Sequence, residues 1–194
     1  MQSTFRPALV LFGALTLVCC VLYPLAVTAI DQAAFPSQSA GSLVERAGRP
    51  IGSHLIGQSF TSARYFWGRP SATAPMANNA AGSSGSNQGP TNPALLDAVK
   101  GRIEALKAAD PANTAPIPVD LVTASASGLD PDISAAAARY QVARVAGVRK
   151  LDRTQVAALV AAHTAPQYLG FFGEARVNVL ELNLALDSET ARTP

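Results

Sequence analysis

"RVNVLELNLAL", residues 176–186, decides how this chain is built. Leu180, Leu182, Leu184 and Leu186 alternate with Glu181, Asn183 and Ala185. Successive side chains of a pleated strand point to opposite faces, so this period of two predicts a strand with one buried face. Upstream, "PVDLVTAS" (118–125) is another candidate strand. "IGSHLIGQSF" (51–60) and "RYFWGRP" (64–70) are short, apolar-rich and bounded by Gly or Pro, and they predict two more.

The sequence between these candidates reads as helix. Asn92 before Pro93 caps a helix whose Leu96, Val99, Ile103 and Leu106 share one face, and Asp110-Pro111 ends it. Asp130 before Pro131 opens a second, running through Ile133 and Tyr140 to about Val145. Asp152 caps a third, with Gln155 at N3 and with Leu151 and Val156 placed to staple across the cap. Its apolar face is Val156, Leu159, Val160 and His163. Strands near both ends with helices between them predict an α+β domain over residues 51–194, with a small β-sheet and about three helices.

Working further outward, the 194 residues are 48% hydrophobic, and the mean hydropathy is +0.19. One segment carries the excess. "ALVLFGALTLVCCVLYPLAVTAI", residues 8–30, holds no charge and as a helix would run about 34 Å, enough to cross a bilayer. Gly13 and Pro24 are tolerated in a membrane helix. Residues 1–7 carry Arg6, and Asp31 follows the apolar run. The positive-inside rule then predicts a short cytoplasmic N-terminus (1–7), a transmembrane helix (8–30), a tether (31–50) and an exterior domain (51–194). A cleaved signal peptide ending at Val27-Thr28-Ala29 is the competing reading. Cys19 and Cys20 both lie inside the span, where apolar filling or lipidation would explain them. The exterior domain therefore has no thiol or disulfide chemistry and must be held by its core.

The chemistry-bearing residues are sparse. A net charge of +2 with scattered basic residues excludes a phosphate track for nucleic acid. Nucleophilic catalysis needs a serine beside a base, and His54 and His163 are the only histidines. "SASGLDPDIS" (125–134) lacks the G-x-S-x-G elbow. It reads instead as a turn at Gly128 followed by a helix start at Asp130-Pro131. Two isolated histidines give no metal-ligand spacing, and no G-x-x-x-x-G-K-[ST] loop is present. "AGSSGSNQGPTNP" (81–93) reads either as a flexible linker or as a structured turn. Its backbone N–H groups could form an anion nest, although no Lys or Arg stands in it. Catalytic and metal-ligating residues are thus expected to be none.

Five blocks in order, "GSHLIGQSF" (52–60), "YFWGRPSA" (65–72), "SSGSNQGPTNP" (83–93), "PVDLVTASASGLDPDIS" (118–134) and "RVNVLELNLALD" (176–187), resemble the KdpC family. These are the C subunits of bacterial Kdp potassium-transporting ATPases. Ser84 departs from the family, which usually shows glycine in a Ser-Gly-Gly-Ser-Asn run. The resemblance implies a non-catalytic accessory subunit of a high-affinity potassium pump in the bacterial inner membrane. The implied partners are a channel-like potassium-selective subunit and a P-type subunit that hydrolyses ATP. It also implies a catalytic chaperone that raises the ATP affinity of that P-type subunit, with no cofactor of its own and ATP only in the complex. Nucleotide contact in the family has been linked to the serine-glycine run and a nearby glutamine. The matching positions are Gln58, Ser83, Gly85, Ser86 and Asn87. An exterior domain would meet ATP only through the membrane subunits. A membrane-anchored exterior domain that binds a small solute or anion is the alternative.

Overall fold

The computed structural model describes residues 4–192. The chain divides into two compact units between Ile51 and Gly52.

The first unit is dominated by a helix over Phe5–Ala34, 30 residues with a mean hydropathy of 2.4 in its most apolar window and none of that window buried. It extends beyond both ends of the predicted 8–30 span. α1 (Phe5–Leu17) passes through a π-helical turn (Val18–Leu22) into α2 (Tyr23–Ala34). The wider turn has a sequence cause. Pro24 lacks an N–H and its ring crowds the carbonyl four residues back, so the ladder loosens just before it. Tyr23 N–H accordingly reaches back five residues to Val18 O. Cys19 and Cys20 lie in this turn, exposed and unbridged. The expected tether at 31–50 holds ordered elements: the end of α2, the short helix α3 (Pro36–Ser39), and β1 (Leu43–Arg46), which pairs with β2 (Arg49–Ser53).

The second unit mixes α4 (Pro93–Ala109), β3 (Asp132–Ser134), α5 (Ala135–Arg149), α6 (Arg153–Ala162), β4 (Thr164–Ala165), β5 (Arg176–Asn178) and α7 (Val179–Arg192). Its antiparallel sheet has the order β3-β5-β4, with Val177 opposite Ile133 on one side and Thr164 on the other. The α+β class is as expected, with four α-helices among the described residues of the domain. The core gathers Phe66, Leu106, Leu121, Ile133, Val145, Val156, Val160, Val177, Leu182 and Leu186.

Two helix starts fall where the caps predicted them. Asn92 Oδ1 accepts from Ala94 N–H at 3.0 Å, and Asp152 Oδ1 accepts from Thr154 N–H at 2.6 Å. In α6 Val156 and Val160 are buried.

The 176–186 stretch overturns its strand reading. Only residues 176–178 are strand, and a helix begins at Val179. Val179, Leu182, Asn183 and Leu186 lie on one helical face and are buried, with Leu180 buried beside them. Leucine is so dense here that the apolar residues satisfy both periods, and the cap decides between them. Asn178 Oδ1 accepts from Glu181 N–H at 3.2 Å, which starts the helix.

The second helix also starts later than Asp130-Pro131 predicts. Asp130 Oδ1 accepts from Asp132 N–H at 3.0 Å in a side-chain turn that feeds β3. Ser134 is the actual cap, its hydroxyl accepting from Ala137 N–H at 3.0 Å. The "PVDLVTAS" strand is absent: Val119–Leu121 is a single 3₁₀ turn and the remainder is irregular. Within 51–60 and 64–70 strand survives only as far as Ser53.

The "RYFWGRP" segment is irregular because helix side chains, not neighbouring strands, take its backbone bonds. Asn183 binds both Phe66 N–H and C=O, at 2.9 and 3.0 Å. Gln141 does the same for Trp67, at 2.8 and 3.1 Å. Arg144 donates to Ala63 O and, at 3.1 Å, to Tyr65 O. Arg149 donates to Arg64 O at 2.7 Å. The two guanidinium groups also lie over the rings they strap, Arg144 at 4.6 Å from Trp67 and Arg149 at 4.8 Å from Tyr65. Burial lowers the Arg144 pKa to about 10, with Asp110 and Tyr140 opposing the drop, so it stays charged at neutral pH.

Candidate functional site

Three loops, 57–60, 70–90 and 123–130, meet in the second unit and are fastened by short polar side chains. Ser71 Oγ donates to Gly128 O at 2.7 Å and accepts from Asn78 N–H at 2.9 Å. Thr73 Oγ1 donates to Met76 O at 2.7 Å and accepts from Asn79 N–H at 3.1 Å. Gly57 N–H donates to Leu129 O at 2.8 Å. Residues of this kind bond readily to nearby backbone, which is why so uncharged a stretch is ordered.

The serine-glycine run packs on the 125–128 loop. Ser84 N–H and Ser83 Oγ both donate to Ser127 O, each at 3.0 Å. A Cβ on Gly85 would stand 2.8 Å from Ala126 O, so only glycine permits this approach. Ser84 turns its hydroxyl to Gly85 O at 3.1 Å. Asn87 has a φ of 52°, and Ser86 and Asn87 are exposed. Of the linker and structured-turn readings of 81–93, the structured turn is correct.

Ser125 and Ser127 are occupied in the same way. Ser125 Oγ, buried, accepts from Gly128 N–H at 2.8 Å, and Ser127 Oγ accepts from Leu129 N–H at 3.1 Å. Gly128 has a φ of +67°, and a Cβ there would come within 2.5 Å of Thr73 Cγ2. The histidines lie elsewhere. His54 Nδ1 pairs with the Glu181 carboxylate, and His163 Nδ1 lies 2.9 Å from Leu159 O at the end of α6.

Gln58 stands apart from the serine-glycine run. It lines a cleft of about 390 Å³ with Phe60, Trp67, Arg102, Leu106 and Leu121. None of residues 83–87 lines that cleft. The Gln58 side chain instead fills the space beside Gly52, where a Cβ would fall 2.1 Å from its amide nitrogen. Thus Ser83 and Gly85 are brought together on the 125–128 loop, and Gln58 is not brought to them. Burial lowers the Arg102 pKa in the same cleft.

A second cleft, about 530 Å³, is charged and was not foreseen from the sequence. Asp120, Asp130, Asp132, Glu174, Arg69 and Arg176 line it. Arg69 pairs with Asp130 and Arg176 with Asp132, each at 3.0 Å. Asp120 is held by Ser134, whose N–H donates to its carboxylate at 2.8 Å. The Asp132 carboxyl is pushed up by burial and by the Asp130 charge, and Arg176 and the Asn178 amide oppose this. These residues lie far apart in sequence, so no local spacing marks them. Among the described residues no three His, Cys, Asp or Glu side chains gather as metal ligands. The loops and clefts present an ordered polar surface with paired charges, an arrangement suited to contacts with another molecule.

The family model described as "KdpC: K+-transporting ATPase, c chain" matches residues 5–188. A potassium-transporting ATPase KdpC subunit from Herminiimonas arsenicoxydans is 67% identical over 96% of this chain and 98% of that protein. One from Janthinobacterium sp. (strain Marseille) is 67% identical over 96% and 99%. A third, from Methylococcus capsulatus, is 61% identical over 97% and 99%. The match covers the apolar helix, the interlocked loops and α7 as far as residue 188, and the chain belongs to the KdpC family of potassium-transporting ATPase subunits.

Proposed function

We propose that this chain is a non-catalytic accessory subunit of an ATP-driven potassium pump. One observation carries the reading: the family match spans residues 5–188, from the apolar helix into the last helix of the folded domain. The helix would anchor the chain in the bacterial inner membrane, with Arg6 on the cytoplasmic side and the domain in the periplasm. Its partners would be the channel-like potassium-selective subunit and the P-type subunit. Any rise in the ATP affinity of the P-type subunit would then be transmitted through the membrane subunits.

In this reading Gln58, Ser83 and Gly85, of the five positions Gln58, Ser83, Gly85, Ser86 and Asn87, serve the domain rather than a nucleotide. The Ser83 hydroxyl is spent on Ser127 O, and Gly85 on its close approach to Ala126. Gln58 lies in a different cleft.

The test is co-expression of the remaining pump subunits with and without this chain. Omitting it should abolish stable assembly or potassium-stimulated ATPase activity, and full transport without it would overturn the proposal. A topology reporter fused after Pro194 checks the placement. Activity in the periplasm is expected, and activity restricted to the cytoplasm would revive direct contact with ATP at the five positions above.

A further inference from the structure

The apolar helix breaks its own hydrogen-bond ladder at its centre. Residue 19 is the midpoint of the uncharged run 8–30, and at ~1.5 Å per residue it lies about 16 Å from either end. There the Tyr23 N–H donates to Val18 O, five residues back. Its acceptor in a regular α-helix would be Cys19 O. The next donor along the chain would be residue 24, and Pro24 has no N–H. Cys19 O is therefore passed over by both the α-helical and the π-helical donor. Cys20 O loses its α-helical donor to the same proline.

No side chain of the same helix fills the gap. Leu22, Tyr23 and Pro24 stand on the turn that follows. Leu22 and Pro24 carry no side-chain donor. The rigid ring of Tyr23, 66% exposed, takes its hydroxyl away from the helix backbone. A short donor side chain in a helix bonds backwards, to the carbonyl four residues earlier. The thiols of Cys19 and Cys20 therefore face the carbonyls of Leu15 and Thr16, not their own. In hydrocarbon no water completes the set, and a bare carbonyl is costly. Where proline breaks a membrane helix, neighbouring helices re-satisfy the freed groups.

We infer that the carbonyls of Cys19 and Cys20 form an acceptor site for a hydroxyl or carboxamide side chain on a transmembrane helix of another subunit of the potassium-transporting ATPase. This rests on the membrane-anchored, accessory-subunit reading above. The medium and the helix together define the occupant. Lipid tails have no donor to offer. A second copy of this chain, inserted the same way, brings Cys19 and Cys20 level with the gap, and thiols are weak donors. An ammonium or guanidinium would be buried without a counter-charge, since residues 8–30 carry none. A neutral O–H or N–H from a different subunit is what remains. Cys19 and Cys20 are short and exposed, so a neighbouring helix can come close to the backbone here.

The chain contains two cysteines, both in this turn. Cysteine isotopically labelled at its carbonyl therefore marks these two carbonyls and no others. Labelled full chain, made by cell-free synthesis, is measured by infrared spectroscopy in lipid vesicles, alone and after assembly with unlabelled pump subunits. The labelled carbonyl band should move to lower frequency on assembly, as a carbonyl does when it gains a hydrogen bond. Pro24→Leu restores the N–H at residue 24 and lets the helix close its own ladder. Its band should be the same in both states, and recovery of the co-purified subunits should fall about threefold. A wild-type band that stays in place on assembly would overturn the inference, as would a shift of wild-type size in Pro24→Leu. A band that moves when the labelled chain is merely concentrated in vesicles would assign the donor to a second copy and overturn it too. Assembly with an unmoved band sinks the acceptor site alone. Failure of the labelled chain to join the other subunits sinks the accessory-subunit reading, and the site with it.

Discussion

Asn183 in α7 holds Phe66 by both of its main-chain groups, accepting from the N–H at 2.9 Å and donating to the C=O at 3.0 Å. Both residues are buried, Phe66 fully and Asn183 to 2% exposure. The carboxamide therefore does for residue 66 what a neighbouring strand would otherwise do. Asn183→Ala leaves a buried N–H and a buried C=O without partners, at a cost of about 2–4 kcal/mol. Asn183→Asp keeps the acceptor but sets a carboxylate against Phe66 O in the core, and should cost at least as much. Urea unfolding of the purified chain checks the order, with wild type most stable.

Arg149 fastens the same segment from α5 and should be harder to replace. Its guanidinium donates to Arg64 O at 2.7 Å, Thr190 Oγ1 at 2.9 Å and Asp187 Oδ1 at 2.8 Å, with its side chain only 1% exposed. Three partners in three directions need the planar fork, so Arg149→Lys should recover little. Arg149→Met takes the cation from the Asp187 carboxylate, which keeps the Tyr65 hydroxyl at 3.2 Å, and should cost about 3 kcal/mol. A lysine variant as stable as the wild type would show that the charge alone matters.

These two residues also explain what could and could not be read in the sequence. The helices announced by Asn92 and Asp152 were legible because capping is local, a side chain meeting an N–H two residues on. The strand reading of 64–70 failed because Gln141, Arg144, Arg149 and Asn183 take its backbone bonds from 74 to 117 positions away. Polar residues inside an apolar-patterned helix look like solvent-facing positions until their partners are known. The helix at 179 was hidden by leucine at every second position, although Asn178 three residues before Glu181 was a usable cap signal. The charged cleft joins Arg69, Asp120, Asp132 and Arg176 from separate elements and left no trace in spacing. The block resemblance, by contrast, named the family correctly, because it samples all these distant segments at once.

The interlocked loops predict which glycines matter. Gly128→Ala must adopt a φ of +67° and push its Cβ to within 2.7 Å of Ser84 O, so a loss of about 1–3 kcal/mol is expected. Gly85→Ala meets Ala126 O at 2.8 Å and should loosen the same contact. Gly101, in the exposed face of α4, has nothing within 4 Å of an added Cβ. Gly101→Ala should therefore stabilise the domain, by about 1 kcal/mol from helix propensity alone. Thermal unfolding of the three variants side by side gives the comparison, and an equal effect from all three would refute the close approach of the loops.

Asp132 predicts how stability should depend on pH. Burial raises its carboxyl above the usual range, the Asp130 charge adds to the rise, and Glu181 adds a smaller push. Arg176, at 3.0 Å, and the Asn178 amide, at 3.2 Å, oppose these effects without cancelling them. The folded pKa thus lies above an unfolded value of about 3.9. Between the two, the folded chain still holds a proton that the unfolded chain has released. Stability contributed by this group therefore falls as pH rises through that window and is level above it. Asp132→Asn removes the titration and keeps an oxygen acceptor for Asn178. The unfolding free energy of the wild type minus that of Asp132→Asn should be greatest near pH 4 and shrink as pH rises through the raised folded value. Urea titrations from about pH 4 to about pH 7 follow that difference across the window. A difference that instead grew with pH would mean that the Arg176 ion pair outweighs burial, and that the charged cleft is wetter than its lining implies.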